Sequence, residues 1–160
     1  MSDLFFRIAY RCAYRVMRAY WRLMHPQTHG ALVAIWHEGK VLLVRNSYVQ
    51  YYSLPGGYVR RHESGRDAAR RELLEETGIR ANASALELAL AERHEWEGKR
   101  EHVEIFEIDV AEQPTVKADN REVVQAAFFE IEEALALDLF PPIRQVILRR
   151  LVPGDSGRPA

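Results

Sequence analysis

The sequence lacks the features that define several protein classes. Its 160 residues include one cysteine, Cys12, so no internal disulfide can form and a reducing compartment is expected. A net charge of −1 provides no general attraction to nucleic acid polymers. No uncharged apolar run reaches the roughly 18 residues that a membrane-spanning helix needs. These absences favour a cytoplasmic protein whose partners do not include a nucleic acid polymer.

The apolar segments that are present predict an α/β fold. Hydrophobic residues make up 48% of the chain and charged residues 28%, which are ordinary values for a globular protein. Strands are predicted at 31–37, 40–47, 86–96, 101–110 and 125–131, with helices before, between and after them. The segment 101–110 is apolar on both faces, so its sheet should be covered on both sides. We therefore expect a mixed sheet between layers of helices.

Local signals mark where the helices begin and end. A helix is predicted over 3–24, and a second should start after Ser64 and end at Gly78. Either Pro141 or Pro142 suits the first turn of a C-terminal helix. The last segment, 153–160, has the composition of a flexible tail.

The N-terminal helix, within residues 1–25, is basic and aromatic. Its arginines fall within roughly 80° of arc, surrounded by a broad apolar face. We favour packing against its own domain or a homodimer partner, with the arginines outward. Peripheral contact of residues 3–24 with an anionic membrane, or a mitochondrial presequence, are the alternatives. The arginines concerned are Arg7, Arg11, Arg15, Arg18 and Arg22.

The stretch RRELLEETGI, residues 70–79, crowds three carboxylates onto one helix face. Glu72, Glu75 and Glu76 lie within roughly 100° of arc, where like charges repel. A hard divalent cation, Mg²⁺ with Mn²⁺ as a substitute, would turn this repulsion into attraction. The alternative without metal is a solvated acidic face crossed by pairs such as Arg71 with Glu75.

The neighbours of this stretch complete a longer pattern. It consists of Gly57, Glu63, Arg71, Glu72, Leu73, Glu75, Glu76, Gly78 and Ile79. This spacing resembles the Nudix box, the signature of the Nudix hydrolases. The resemblance implies a Nudix-type α/β/α sandwich over 28–152, with the N-terminal helix added to it.

The resemblance also implies an activity and roles for the box residues. Nudix enzymes cleave a diphosphate linkage in a nucleoside diphosphate joined to a moiety X, with Mg²⁺ and an activated water. By that likeness, Glu72 and Glu76 are metal ligands, and Glu75 is a ligand or orients the water. Glu63 and Arg71 would hold the helix in register with the preceding loop.

Two further positions follow from the family pattern. Gly57 would let the backbone approach the metal or phosphate closely. An acidic residue beyond the box often completes the metal or base set in this family. Glu122 is our first candidate for it, with Glu104 and Asp119 as alternatives.

The substrate is less well defined by the sequence. Arg60 follows the glycine loop, where phosphates would bind, although a solvated basic turn is the alternative. Tyr52, Tyr58 and Trp96 could stack on a base or another ring, or simply pack in the core. The proline that marks hydrolases of the ADP-ribose type beyond the box is missing. A small nucleotide or another diphosphate is expected, with X left open.

Two rival functions share this scaffold. A catalytically silent Nudix domain, serving as a nucleotide sensor or interaction module, would be expected to lose box carboxylates, and this chain keeps them all. An isomerase of the isopentenyl diphosphate type would need an active-site cysteine, whereas Cys12 lies in the N-terminal helix.

Overall fold

The computed structural model describes residues 3–118 and 120–151. The predicted tail at 153–160 and the candidate ligand Asp119 lie outside the described residues. Helices α1 to α4 span Asp3–Met24, Gly65–Thr77, Ile131–Ala136 and Pro141–Leu151, and a short 3-10 helix spans Ala83–Ala85. Strands β1 to β6 span Gln27–His37, Lys40–Asn46, Gly56–Tyr58, Glu87–Trp96, Lys99–Asp109 and Val123–Glu130.

The strands form one mixed sheet, as predicted. Its order is β4-β5-β1-β2-β6, and β3 pairs with β1 beside the start of that strand. β1 and β5 are parallel, whereas the other pairs are antiparallel. β1 begins earlier than the predicted position 31 because Gln27 to Gly30 already pair with β5. This extension is a long-range effect that local apolar patterning does not show.

Alternation along β1 divides the core into two layers. Leu32, Ala34 and Trp36 belong to the core shared with α3 and α4. Ala31 and Val33 point the other way, into the core shared with α2. Helices therefore cover both faces, which confirms the predicted α/β/α sandwich.

The ends of α2 follow from local chemistry. Ser64 has extended backbone angles and its hydroxyl accepts a hydrogen bond from the Asp67 backbone N–H, at 3.1 Å. Gly78 ends the helix at φ 75°, a left-handed conformation that costs glycine little. Both caps agree with the sequence prediction, and they fix which face of α2 meets the sheet.

Helix α1 packs against its own domain along one face. Trp21 is 7% exposed, and the Tyr14 hydroxyl hydrogen-bonds to the Glu97 carboxylate in the β4–β5 turn. The expectation that α1 would turn its arginines outward is wrong for part of the helix. Arg7 and Arg11 point toward the domain because backbone carbonyl oxygens, described below, accept hydrogen bonds from their guanidinium groups.

The opposite face of α1 is apolar and open. Phe5, Ile8, Val16 and Leu23 are 52–79% exposed there. A homodimer or a lipid contact would need such a face, and both remain predictions. Within the described residues, no helix combines the length and apolarity needed to cross a membrane.

Candidate active site

The three carboxylates of α2 face the glycine-containing strand β3. Glu76 is 7% exposed, and its Oε2 accepts a hydrogen bond from the Gly56 backbone N–H at 3.0 Å. Glu72 is 18% exposed in its side chain and lies against the backbone of Gly57. Glu75, at 51% exposed, lies at the solvent edge. The exposure of the three carboxylates on this helix face therefore increases from Glu76 through Glu72 to Glu75.

Arg71 ties this face to the loop before α2. Its Nε and Nη2 donate to the two Glu63 carboxylate oxygens at 2.8 and 2.9 Å, a bidentate pair. Nη1 donates to Glu72 and lies 3.4 Å from Glu75 Oε2. Nη2 also donates to the Tyr58 carbonyl at 3.2 Å. These contacts join the helix to the loop, and the supporting role that the family resemblance implies for Glu63 and Arg71 stays a prediction.

The Arg71 fork holds the pKa of Glu63 at about 2, below its usual range, mainly through its hydrogen bonds. Burial opposes this shift, and the Arg60 backbone N–H, which donates to Glu63 at 3.0 Å, supports it. The same hydrogen bonds raise the pKa of Arg71. Both groups therefore stay ionised throughout the physiological range.

A pH-dependent loss of stability follows from the Glu63 pKa. Because the folded-state pKa is depressed from 4.5, the stabilisation is complete above that value and is lost as pH falls toward 2. Glu63→Gln should lower the free energy of unfolding at pH 7, with the difference from wild type shrinking between about pH 4.5 and 2. Urea unfolding at several pH values measures this difference, with Glu112→Gln at an exposed site as the control. A pH-independent difference would contradict the assignment.

Gly57 is required for space rather than for an unusual φ angle. A Cβ added there would lie 2.7 Å from Glu72 Cδ and Oε1. Gly57→Ala should displace the Glu72 carboxylate and lower kcat/KM by roughly 10- to 100-fold, the usual loss when a ligand's support is removed.

Gly39→Ala is the contrasting control for that substitution. Gly39 has φ +78° with no atom within 4 Å of the added Cβ, so the change should cost about 1 kcal/mol of stability and no activity. Equal losses of activity in the two variants would show that the Glu72 contact is unimportant.

The charge balance of this cluster suits a divalent cation. Four carboxylates (Glu63, Glu72, Glu75 and Glu76) lie on or beside this helix face with two guanidiniums, those of Arg71 and Arg60, so the formal net charge is 2 − 4 = −2. Glu76 is held in the least exposed position, although burying a carboxylate beside like charges is costly. Hard oxygen donors of this kind fit Mg²⁺ or Mn²⁺.

Of the acidic residues beyond the box, Glu122 is held by contacts with Tyr48 and Ser47. The Tyr48 hydroxyl donates to Glu122 Oε1 at 2.8 Å, and the Ser47 N–H donates to the Glu122 carbonyl at 2.7 Å. Burial raises the pKa of Tyr48, and the charges of Glu122 and Glu76 add to that rise. The assignment of Glu122 as a metal ligand stays a prediction.

Glu104 belongs to a different group of side chains. Its Oε2 lies 3.2 Å from His29 Nε2, and its Oε1 lies 3.9 Å from His102 Nε2. The three residues occupy one sheet face because His29 and His102 are register partners and Glu104 follows two residues later. Their potential ligand atoms lie within 4.8 Å of one another, so this group could itself hold a metal ion.

The predicted substrate-binding residues are not all in one place. Arg60 Nη2 lies 3.7 Å from Glu75 Oε1, with a side chain 62% exposed, beside the carboxylates. Trp96 and Tyr58 line an adjacent pocket of about 310 Å³ that Gly57 also borders. Tyr52 lies elsewhere, because its hydroxyl donates to Gln125 and its ring packs on Phe129.

The pocket also contains residues that sequence reasoning missed. Tyr48 and Lys99 line it, together with a row of side chains from α1. The α1 row has heptad-like spacing, which could have indicated that this helix face is packed. Nothing in the neighbouring sequence indicated which part of the domain it packs against. Its members are Tyr10, Tyr14, Met17 and Trp21.

The layered fold, the glycine strand and the carboxylate helix are those of one class of hydrolases. A family model described as the NUDIX domain matches residues 26–151. The chain belongs to the Nudix hydrolase family, and is an enzyme of that class. Both the resemblance carried by the box and the prediction of an enzyme are confirmed.

Relatives with known descriptions support the same class. A Bacillus subtilis protein provisionally described as an 8-oxo-dGTP diphosphatase is 48% identical over 59 residues, which are 36% of this chain and 40% of that protein. The crystal structure of a MutT protein from Methanosarcina mazei is 26% identical, with a TM-score of 0.66 over 79% of this chain and 94% of its own. The solution structure of the E. coli ORF135 protein is also 26% identical, with a TM-score of 0.63 over 81% and 96%. The match to the Bacillus protein spans less than half of that protein's length, and these relatives agree with the Nudix hydrolase class.

Proposed function

We propose that the protein hydrolyses a diphosphate linkage in a nucleoside diphosphate-X substrate in a Mg²⁺-dependent reaction. The observation that carries the proposal is the carboxylate face of α2, clamped by Arg71 against the glycine strand. Its formal net charge of −2, counted above, attracts a cation, and the phosphates of a substrate bring further oxygens.

Glu72, Glu75 and Glu76 would hold the cation, with Glu122 as the supporting carboxylate. When bound, Mg²⁺ neutralises charge on the phosphate oxygens and lowers the pKa of a coordinated water. Each carboxylate is suited to a different task by its surroundings. Buried Glu76 is fixed by the Gly56 N–H, whereas half-exposed Glu75 can accept the proton of the attacking water.

Two features favour a nucleotide as the substrate. The guanidinium of Arg60 lies beside Glu75 and is exposed to solvent, so it can bind a phosphate group of a substrate that enters from solution. Gly57 borders the aromatic pocket and also lies against Glu72, so a ring held in the pocket would adjoin a diphosphate held at Glu72. The description of the Bacillus relative makes purine nucleotides, including 8-oxo-dGTP, the first compounds to assay.

A substrate screen tests the proposal. Nucleoside triphosphates, nucleotide sugars, dinucleoside polyphosphates and non-nucleotide diphosphates should each be incubated with Mg²⁺, Mn²⁺ or EDTA, and released phosphates measured. Turnover of at least one nucleotide, abolished by EDTA, is the expected result. A complete absence of turnover with retained nucleotide binding would favour the silent sensor instead.

A further inference from the structure

Helix α1 lies outside the matched family domain yet forms part of the pocket. The family match begins at residue 26, whereas α1 ends at Met24. Tyr10, Tyr14, Met17 and Trp21 project from α1 onto the space bordered by Gly57 of the family's glycine strand. The pocket therefore has a wall that the matched domain does not supply.

The wall is aromatic, and it faces aromatic side chains of the domain. The Tyr14 ring centroid lies 4.9 Å from that of Tyr48, and Tyr10 stacks on the same ring at 6.1 Å. Tyr51, which lies beside Tyr14, meets Trp96 edge to face at 5.8 Å. Aromatic surfaces from separate elements suit a planar ring, which can contact their faces and edges together.

Lys99 adds a cation inside this aromatic lining. Its Nζ lies 4.5 Å from the Trp21 ring centroid and donates to the Tyr58 hydroxyl at 3.2 Å. Glu101 balances its charge at 3.6 Å. The pocket thus offers polar contacts to the edge of a ring as well as apolar contacts to its faces.

Several contacts fix α1 over the pocket. The Tyr14 hydroxyl donates to Glu97, and Arg18 Nε lies 3.5 Å from the same carboxylate. A Cβ added at Gly98 would lie 3.0 Å from the Arg22 backbone, so helix and turn are in close contact. The C-terminal half of α1 is therefore anchored to the β4–β5 turn.

The N-terminal half of α1 is anchored beside the acidic residue beyond the box. Arg11 Nε donates to the Ser47 carbonyl at 2.9 Å, and Arg7 Nε donates to the Asn120 carbonyl at 2.9 Å. Ser47 and Tyr48 both hydrogen-bond to Glu122, through its backbone carbonyl and its side chain respectively. The placement of α1 is thus linked to the loops that carry the candidate carboxylate.

We propose that α1 is the substrate-selecting wall of the active site, and that its Tyr14 contacts a planar aromatic group, a nucleobase, in the substrate. This inference rests on the proposed function for the diphosphate half of that substrate. Ring binding itself can be measured without turnover, which keeps the two proposals separable.

The test compares binding of ligands with and without a ring. GMP and AMP, against inorganic pyrophosphate, can be titrated into the full chain while tryptophan fluorescence is followed, because Trp21 and Trp96 line the pocket. Tyr14→Ala should weaken nucleotide binding about 10-fold, within the range for loss of one base–aromatic contact. Pyrophosphate binding should change less than twofold.

Two further variants distinguish a contact between Tyr14 and the substrate from a role of Tyr14 in holding α1 against the domain. Tyr20→Ala makes the same change on α1 at a position 48% exposed, and should leave nucleotide binding unchanged. Tyr14→Phe keeps the ring but loses the hydroxyl contacts with Glu97 and Tyr51, so it should lower Tm while keeping nucleotide affinity within about threefold of wild type.

Three outcomes would overturn the inference. Equal losses of nucleotide affinity in Tyr14→Phe and Tyr14→Ala would show that Tyr14 only holds α1 in place and does not contact the nucleobase. Unchanged nucleotide affinity in Tyr14→Ala would remove it from the pocket's function. Geranyl diphosphate has an apolar tail without a ring. If it displaced GMP at a lower concentration than AMP does, the pocket would not be selective for aromatic ligands. Each result is obtained whether or not the protein hydrolyses these compounds.

Discussion

Glu76→Gln is expected to lower kcat/KM by roughly 10²- to 10³-fold, the loss typical of removing one charge-stabilising group from an active site. The glutamine keeps an oxygen that can accept the Gly56 N–H bond, so local geometry is preserved. What disappears is a negative charge in the least exposed position of the carboxylate face. Steady-state kinetics at saturating Mg²⁺ on the best substrate from the screen measures the effect.

The stability of this variant provides a second readout. Removing a buried charge beside like charges should leave Tm equal or higher without metal. Mn²⁺ titration followed by electron paramagnetic resonance should show weakened binding, and Glu87→Gln, at an exposed position, should bind as wild type does. Full turnover by Glu76→Gln would show that Glu76 is not a required metal ligand and would contradict the proposed mechanism.

Arg71→Lys should have the next largest effect, although it conserves charge. Lysine cannot reproduce the fork that joins Glu63, Glu72 and the Tyr58 carbonyl. We expect kcat to fall about 10²-fold, as for loss of a ligand's supporting partner. The free energy of unfolding should drop by about 2 kcal/mol, the scale of a charge-assisted hydrogen bond.

The neighbouring Arg70→Lys is the matched control for that variant. Arg70 is exposed on the same helix, so its replacement should alter neither quantity by a measurable amount. Kinetics and urea unfolding of the two variants should be compared at the same Mg²⁺ concentration. Similar behaviour would mean that the fork does not organise the carboxylates.

Features set by neighbouring residues could be predicted from the sequence. The boundaries of α1 and the caps of α2 follow from signals within a few residues, and the observed α1 span agrees with the prediction. The helical repeat of about 3.6 residues is enough to place Glu72, Glu75 and Glu76 on one face of α2. The roles assigned to Glu63 and Arg71 came from the family resemblance, and the observed contacts fit them.

Features set by tertiary contacts could not be predicted in this way. Tyr48 is distant in sequence from Glu122 and from α1, yet it contacts both. The outward face of α1 was misassigned because arginine is usually solvated, whereas here Arg11 meets a backbone carbonyl. Tyr52 and Trp96 looked equivalent as aromatic residues, and only the packing of their strands separates them.

The position of α1 has a consequence for how such an enzyme can evolve. All the box carboxylates lie within residues 26–151, while one side of the adjoining pocket is encoded before them. Substitutions at four positions, Tyr10, Tyr14, Met17 and Trp21, would therefore change that side of the pocket while every residue of the Nudix box is kept. A library restricted to those positions would be a small search space for retargeting the enzyme, and duplicated genes could diverge by the same route.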